Sequence, residues 1–495
     1  MSSAANKTGK TDSAGNAERS VNAKVIGLAV AGAVGGFLFG FDSAVVNGAV
    51  DAIETDFDLA PTLVGFAVAS ALIGSAVGAY FAGRLADRWG RIPAMLVGAV
   101  LFLASALGAG LAVGVWDLVV WRVVGGLGIG IASVIAPAYI AEISPKQVRG
   151  RLASLQQLAI TIGIFTALLS DTLFAGAAGA AGAQFWFGLE AWRWMFLAGA
   201  IPAVVYGVLA LLLPESPRFL VLKGREDDVR RLFSGIWPGN EVERAIGEMR
   251  TAIAEDAEGS QKRVLRGDRF GLKPIVWIGI ILSIFQQFVG INVIFYYSTT
   301  LWRSVGFEES DSFTISVITS VTNILVTFVA IALIDKVGRR PILLFGSAGM
   351  AISLAVMAIA FSQADVVDGG PSLPGAWGPI ALVAANLFVV SFGASWGPVV
   401  WVLLGEIFPT RIRARALGVA AAAQWIANFA ITISFPPLAS VSLVLTYGLY
   451  TLFAVLSFLF VIRFIPETKG MSLEEANSLL TRGKAAKVTP AAPAR

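Results

Sequence analysis

The chain has no cysteine and no histidine, and only 14% of its 495 residues are charged. Without cysteine there is no disulfide, no thiol nucleophile and no thiolate metal site, and without histidine no imidazole proton relay. These absences leave the redox compartment open. Soluble domains carry about 25% charged residues. A chain that is 56% hydrophobic, with mean hydropathy +0.75, cannot cover a water-facing surface, so most of its surface must face lipid. No Walker motif is present to support ATP-driven pumping. The glycine run GGLGIG (125–130) does not fit G-x-G-x-x-G and follows no strand; with Gly74 and Gly78 it has the small-xxx-small spacing of close helix packing. The first 23 residues are polar, lack an apolar core with a cleavage site, and read as a short tail rather than a signal peptide.

What the chain does have is long apolar runs. A spanning helix needs about 20 mostly apolar residues, because about 30 Å of hydrocarbon is crossed at 1.5 Å per residue. Such runs fall near 24–50, 61–82, 93–114, 116–140, 151–174 and 191–213. After a polar stretch from 214 to 272 they resume near 274–303, 313–334, 341–362, 377–405, 413–435 and 444–465. They are continuous rather than alternating, which predicts helices, numbered 1 to 12 below, and not a barrel. Of the 37 Lys and Arg, all but Arg122, Arg193 and Arg303 fall in the tails and in loops on one side of this arrangement. Loop 1–2, on the other side, holds Asp51, Glu54, Asp56 and Asp58. The excess of basic residues on one side predicts that both termini are cytoplasmic. The net charge of +4 and pI near 9.3 therefore express topology, and no nucleic-acid partner is expected.

The chain also repeats itself. Asp87, Gly90, Arg91 and Pro93 recur as Asp335, Gly338, Arg339 and Pro341, and Glu142, Pro145, Arg149 and Arg151 recur as Glu406, Pro409, Arg413 and Arg415. Two like-oriented halves describe a transporter that rocks about a midplane site. The expected organisation is a tail (1–23), a six-helix bundle (24–213), a cytoplasmic linker (214–272), a second bundle (273–465) and a tail (466–495).

The stretches GRLADRWGR (83–91), DKVGRR (335–340), PESPRFL (214–220), PETKG (466–470) and QQFVGINVIFYY (286–297) carry a further signal. Through them the chain resembles the sugar porter family, the branch of the major facilitator superfamily that holds bacterial xylose and hexose proton symporters and the animal glucose facilitators. The resemblance covers about 24 to 475. It implies an all-α membrane protein, twelve transmembrane helices in two pseudo-symmetric bundles with a small cytoplasmic helical linker domain. The implied activity is sugar transport by alternating access, with no cofactor. The expected partners are a small sugar, protons and the bilayer, and the expected location is the cell membrane, with the monomer as working unit.

The repeated charged loops set Asp87, Arg88, Arg91, Glu142 and Arg149 in the first half against Asp335, Arg339, Arg340, Glu406 and Arg413 in the second. One reading is topological anchoring with tight turns. The resemblance implies a cytoplasmic gate, in which ion pairs latch the halves when the protein is open outward. Exposed pairs contribute only about 0–1 kcal/mol each, which suits a latch that opens in every cycle.

An ionisable group inside a spanning helix is expensive and marks function by default. Two stand out. Asp42 lies roughly 12 Å from the outer end of helix 1, and Arg122 about 9 Å into helix 4, so they can pair. The pair is either a static ion pair or a proton-coupling site; proton-coupled family members have an aspartate corresponding to Asp42, which favours symport. Sugar recognition needs amides for hydroxyls and flat rings for C–H faces. The family motifs point to Gln157, Gln286, Gln287, Asn292, Asn323 and Gln424 for the first, and to Trp401, Trp425 and Phe39 for the second. Ile164 stands where the resemblance to xylose symporters would require glutamine, closer to the glucose-carrier pattern. A proton-independent facilitator, a polyol (myo-inositol) symporter and a non-transporting sensor are the alternatives. Cysteine introduced by Ser234→Cys, in a chain with no other thiol, is expected to resist impermeant thiol reagents in intact cells; rapid labelling would reverse the orientation.

Overall fold

The computed structural model describes residues 8–144, 149–233, 239–258, 265, 271–367, 370–408 and 412–469. Twelve helices are long and apolar enough to cross a bilayer. In the first half they are Ile26–Asp56, Pro61–Trp89, Arg91–Gly110, Val115–Ile143, Leu155–Ala178 and Ala191–Leu212. In the second half they are Pro274–Tyr296, Glu309–Ile334, Arg339–Phe361, Trp377–Ile407, Ala416–Val441 and Leu443–Phe464. Between the halves, three helices (Pro217–Leu222, Glu226–Phe233 and Gly239–Glu258) gather around Leu220, Val229, Phe233, Val242 and Ile246. A small hairpin, Asp365–Val367 with Gly370–Ser372, follows helix 9.

Two features depart from the sequence-based expectation. Helix 1 does not end at 50: it continues beyond Val45 as Val46–Asp56. Asp51, Glu54 and Asp56 are therefore helical and not in a loop, since a helix that rises past the hydrocarbon can carry acids freely. Helices 7 and 10 are broken. Helix 7 breaks at Gly290, whose φ of 84° is left-handed, and helix 10 at Ala394–Ser395. Free backbone groups at such breaks are tolerated at membrane depth only where protein or a water-filled cavity satisfies them. Breaks in helices 7 and 10 thus mark the seam between the halves as the working region.

Within the first half, main chains touch. A Cβ on Gly126 of helix 4 would sit 1.9 Å from the Ala71 carbonyl of helix 2, and one on Gly74 would sit 2.1 Å from the Val123 carbonyl. Helices 1 and 5 meet in the same way, a Cβ on Gly40 falling 2.0 Å from the Ile160 carbonyl. The small-xxx-small spacing is therefore packing, as the sequence indicated. Across the seam, helix 2 packs on helix 11 and helix 5 on helix 8. Gly126→Leu is expected to destabilise the carrier by at least the roughly 1–3 kcal/mol of an overpacked core. Gly448→Leu, where nothing lies within 4 Å, is the control. Equal survival of the two in a thermal-stability assay by size-exclusion chromatography would refute this packing.

Candidate functional site

The two halves are joined at one end. Asn47 accepts the Thr299 amide at 3.1 Å, and the Asn47 carbonyl accepts the Thr299 hydroxyl at 2.6 Å. Asp51 accepts from Thr300 and Arg303, both at 2.6 Å, and Glu309 accepts from the Ala181 amide at 2.9 Å. These bonds between the halves all lie toward the acidic end. At the basic end, the ion pairs of Arg91 with Asp87 and Glu142 and of Arg339 with Glu406 each stay within one half.

Those basic-end networks repeat almost atom for atom. Arg91 bonds to Asp87 at 3.0 Å and to Glu142 at 2.9 Å, and Glu142 also accepts from the Ser216 hydroxyl. Glu215 receives the backbone N–H groups of Arg91 and Ile92, which open helix 3. In the second half Arg339 bonds to Glu406 at 2.8 Å, Thr468 donates to Glu406, and Glu467 receives the N–H groups of Arg339 and Arg340. The acids of PES and PET therefore act as N-terminal caps, a role the motif alone does not reveal. Arg91 and Glu142 are largely buried, with side chains 9% and 13% exposed, so the expectation of weak, exposed pairs is corrected. Arg88 is exposed at the end of helix 2. The side chains of Arg149, Asp335 and Arg413 lie outside the described residues.

Deep in the first half, Arg122 donates to the Asp42 carboxylate at 3.0 Å and to the Asp42 carbonyl at 3.1 Å. The Arg122 side chain is 3% exposed and that of Asp42 14%. Both partners belong to one half, so the pair does not itself bridge the seam. Near it, across the seam, is Tyr296 on the second segment of helix 7, whose hydroxyl lies beside Ser43 and Asn428, though among the described residues the buried Ser43 hydroxyl makes no hydrogen bond. Sequence reasoning missed Tyr296, Ser43 and Asn428, because only their proximity to the pair singles them out.

On the other side of the seam the amides form a chain. Asn292 donates to Gln287 at 2.5 Å, Gln287 to Gln286 at 3.5 Å, and Gln286 to the carbonyls of Trp396 and Gly397 at the helix 10 break. Asn323 is buried beside Gly393 at the same break. Gln424 has a buried side-chain oxygen with no protein donor. Phe39 and Trp425 meet edge to face across the seam, with centroids 5.6 Å apart. Gln157 and Ile164 are partly buried on helix 5, Ile164 against Gly40, and Trp401 is 42% exposed. Neither Gln157 nor Trp401 bonds to the amide chain. One ionisable residue was overlooked: Asp171, within helix 5, is fully buried.

Twelve spans in two like-oriented halves, with broken helices and amides at the seam, define a major facilitator carrier. Residues 28–480 match the family model described as "Sugar (and other) transporter", and the chain belongs to that family. It is a multi-pass membrane transporter and not an enzyme. It is 55% identical to a glucose transport protein of Synechocystis sp. over 90% of this chain and 95% of that one. It is 35% identical to a D-xylose-proton symporter of Escherichia coli strain K12, over 92% and 95%. The xylose transporter of Escherichia coli in its inward-open conformation superposes with a TM-score of 0.76 at 34% identity, covering 92% of this chain and 99% of that one.

Gln287→Ala removes the middle of the amide chain and strands Asn292 and Gln286. A buried partner left unsatisfied costs about 1–3 kcal/mol, so sugar affinity is expected to fall about five- to hundredfold. Unchanged affinity in a folded variant, measured by equilibrium binding, would remove the chain from the binding site.

Proposed function

We propose that this protein takes up a neutral sugar, glucose or another hexose, in symport with protons across the cell membrane. The observation that carries the proton half of this reading is the Asp42–Arg122 pair, a titratable carboxylate held inside a spanning helix by one cation. The basic end is cytoplasmic in this reading, with both termini there, and the conformation is shut to the outside. The working unit is the monomer, since both halves of the seam come from one chain.

The chemistry follows from the geometry. With Asp42 ionised, Arg122 is neutralised and the pair is at rest. A proton arriving from outside binds the carboxylate and leaves Arg122 without a counter-charge in a buried place. Breaking a buried pair in this way costs about 3–5 kcal/mol, enough to drive rearrangement of whatever touches it. Next to Asp42 on helix 1 is Ser43, and Tyr296 of the second half stands beside it. Tyr296 lies one helical turn from Asn292, so the proton site and the amide chain share the outer segment of helix 7. Sugar hydroxyls are satisfied by Gln157, Gln287, Asn292, Asn323 and Gln424, while Phe39, Trp401 and Trp425 offer rings to its C–H faces. On the opposite stroke the outer bonds part, and the charged residues of the basic-end loops meet across the seam as a gate. Ile164 favours a hexose over xylose. The relatives named as a glucose transport protein and a xylose-proton symporter support both the cargo class and the coupling.

Asp42→Asn keeps the side chain's size but cannot titrate. It is expected to abolish proton-driven accumulation of sugar in energised vesicles while preserving counterflow in de-energised ones. Accumulation against a gradient by this variant would make the pair a static structural element.

A further inference from the structure

Asp171 of helix 5 is 0% exposed. One carboxyl oxygen accepts the Gly48 amide at 3.2 Å, and the other has no hydrogen-bond partner. The elements packed on helix 5 near this level are helices 1, 4, 6 and 8. Their charged groups are engaged elsewhere or lie at the outer surface. Asp42 and Arg122 hold each other, Asp51 holds Arg303, Asp56 and Glu190 hold Arg193, Asp117 takes the Val113 amide and Glu309 the Ala181 amide. Glu54 and Asp311 make no bond to it. Among the described residues, Asp171 is bonded to the Gly48 amide and to no cation.

An ionised carboxylate without a counter-ion at such a place is too costly to persist, so the group is neutralised by a proton. Its position supplies the route. Gly48 also lines a cavity of about 330 Å³ at the outer mouth, whose walls come from both halves: Asp51, Asp56 and Glu190 from the first, Thr299, Arg303 and Glu309 from the second. Gly48 stands six residues beyond Asp42 along helix 1, roughly 9 Å further out. Asp171 therefore lies on the outer side of the Asp42–Arg122 pair, behind the floor of a cavity whose walls separate when the outer side opens.

We propose that Asp171 is a second proton-binding site of the carrier, filled from the outer cavity as the outer gate shuts. When the gate opens, water reaches the carboxyl and it releases a proton to the outside; when the gate closes, the carboxylate takes one proton back and is buried as the acid. External acid thereby favours the outward-shut state, independently of the proton that drives accumulation. The inference rests on alternating access but not on Asp42 as the coupling site, so each arm of its test is repeated with Asp42→Asn.

The first arm is infrared difference spectroscopy of the protein in nanodiscs. A protonated-carboxyl band is expected in the parent and in Asp42→Asn, and it is lost in Asp171→Asn. Absence of the band in Asp42→Asn, or its persistence in Asp171→Asn, overturns the proposal. The second arm places spin labels at Thr62→Cys and Ser310→Cys, exposed positions on opposite halves at the outer mouth. Lowering pH is expected to enrich the short-distance, outward-shut population by up to about tenfold per pH unit. Asp171→Asn, which retains size and should still bind sugar, flattens that response. The same pH response with and without Asp171 overturns the proposal.

Discussion

A charge inside a bilayer has to be neutralised, and in this carrier one contact between Arg122 and Asp42 does it. The rest of the working region is arranged around that contact. Gly40, two residues before Asp42, lets helix 5 come against helix 1 with no side chain between them, and Gly125 brings bare backbone next to the carboxylate. Beyond Val45, whose backbone stays helical, the same helix carries Asn47 and Asp51 to Thr299, Thr300 and Arg303 of the second half. The ion pair and the bonds that join the halves are thus within one short stretch of one helix.

Contacts within and between the halves differ in kind. Inside the first half, glycines bring main chains together, and in both halves buried networks such as Arg91–Glu142–Ser216 tie the helix ends. Between the halves, a small set of polar bonds lies at the acidic end. Bonds of this kind contribute about 1 kcal/mol each, within the range that a proton and a sugar can together outweigh. One close main-chain approach also crosses the seam, a Cβ on Gly65 of helix 2 falling 2.5 Å from the Ile433 carbonyl of helix 11.

Much of this was legible in the sequence because membrane helices announce themselves by length and because charge in an apolar run has few explanations. The twelve spans, the repeated loops and the pairing of Asp42 with Arg122 follow from those facts. The breaks in helices 7 and 10 were not legible, since the apolar run continues through them and only the bonds of Gln286 to the Trp396 and Gly397 carbonyls reveal why backbone is free there. The capping by Glu215 and Glu467 depends on contacts more than a hundred residues apart in the chain. Asp171 escaped notice because an acid close to the expected end of a span reads as interfacial; its burial comes from Gly48, whose missing side chain lets helix 1 lie against it.

The central claim is that sugar moves with a proton carried by Asp42. The most direct measurement follows external pH and labelled sugar together in weakly buffered proteoliposomes, with sugar supplied outside and no imposed proton gradient. The account predicts that the medium turns alkaline as sugar enters, in fixed proportion to the sugar taken up. Sugar uptake at full rate with no change in external pH would contradict it.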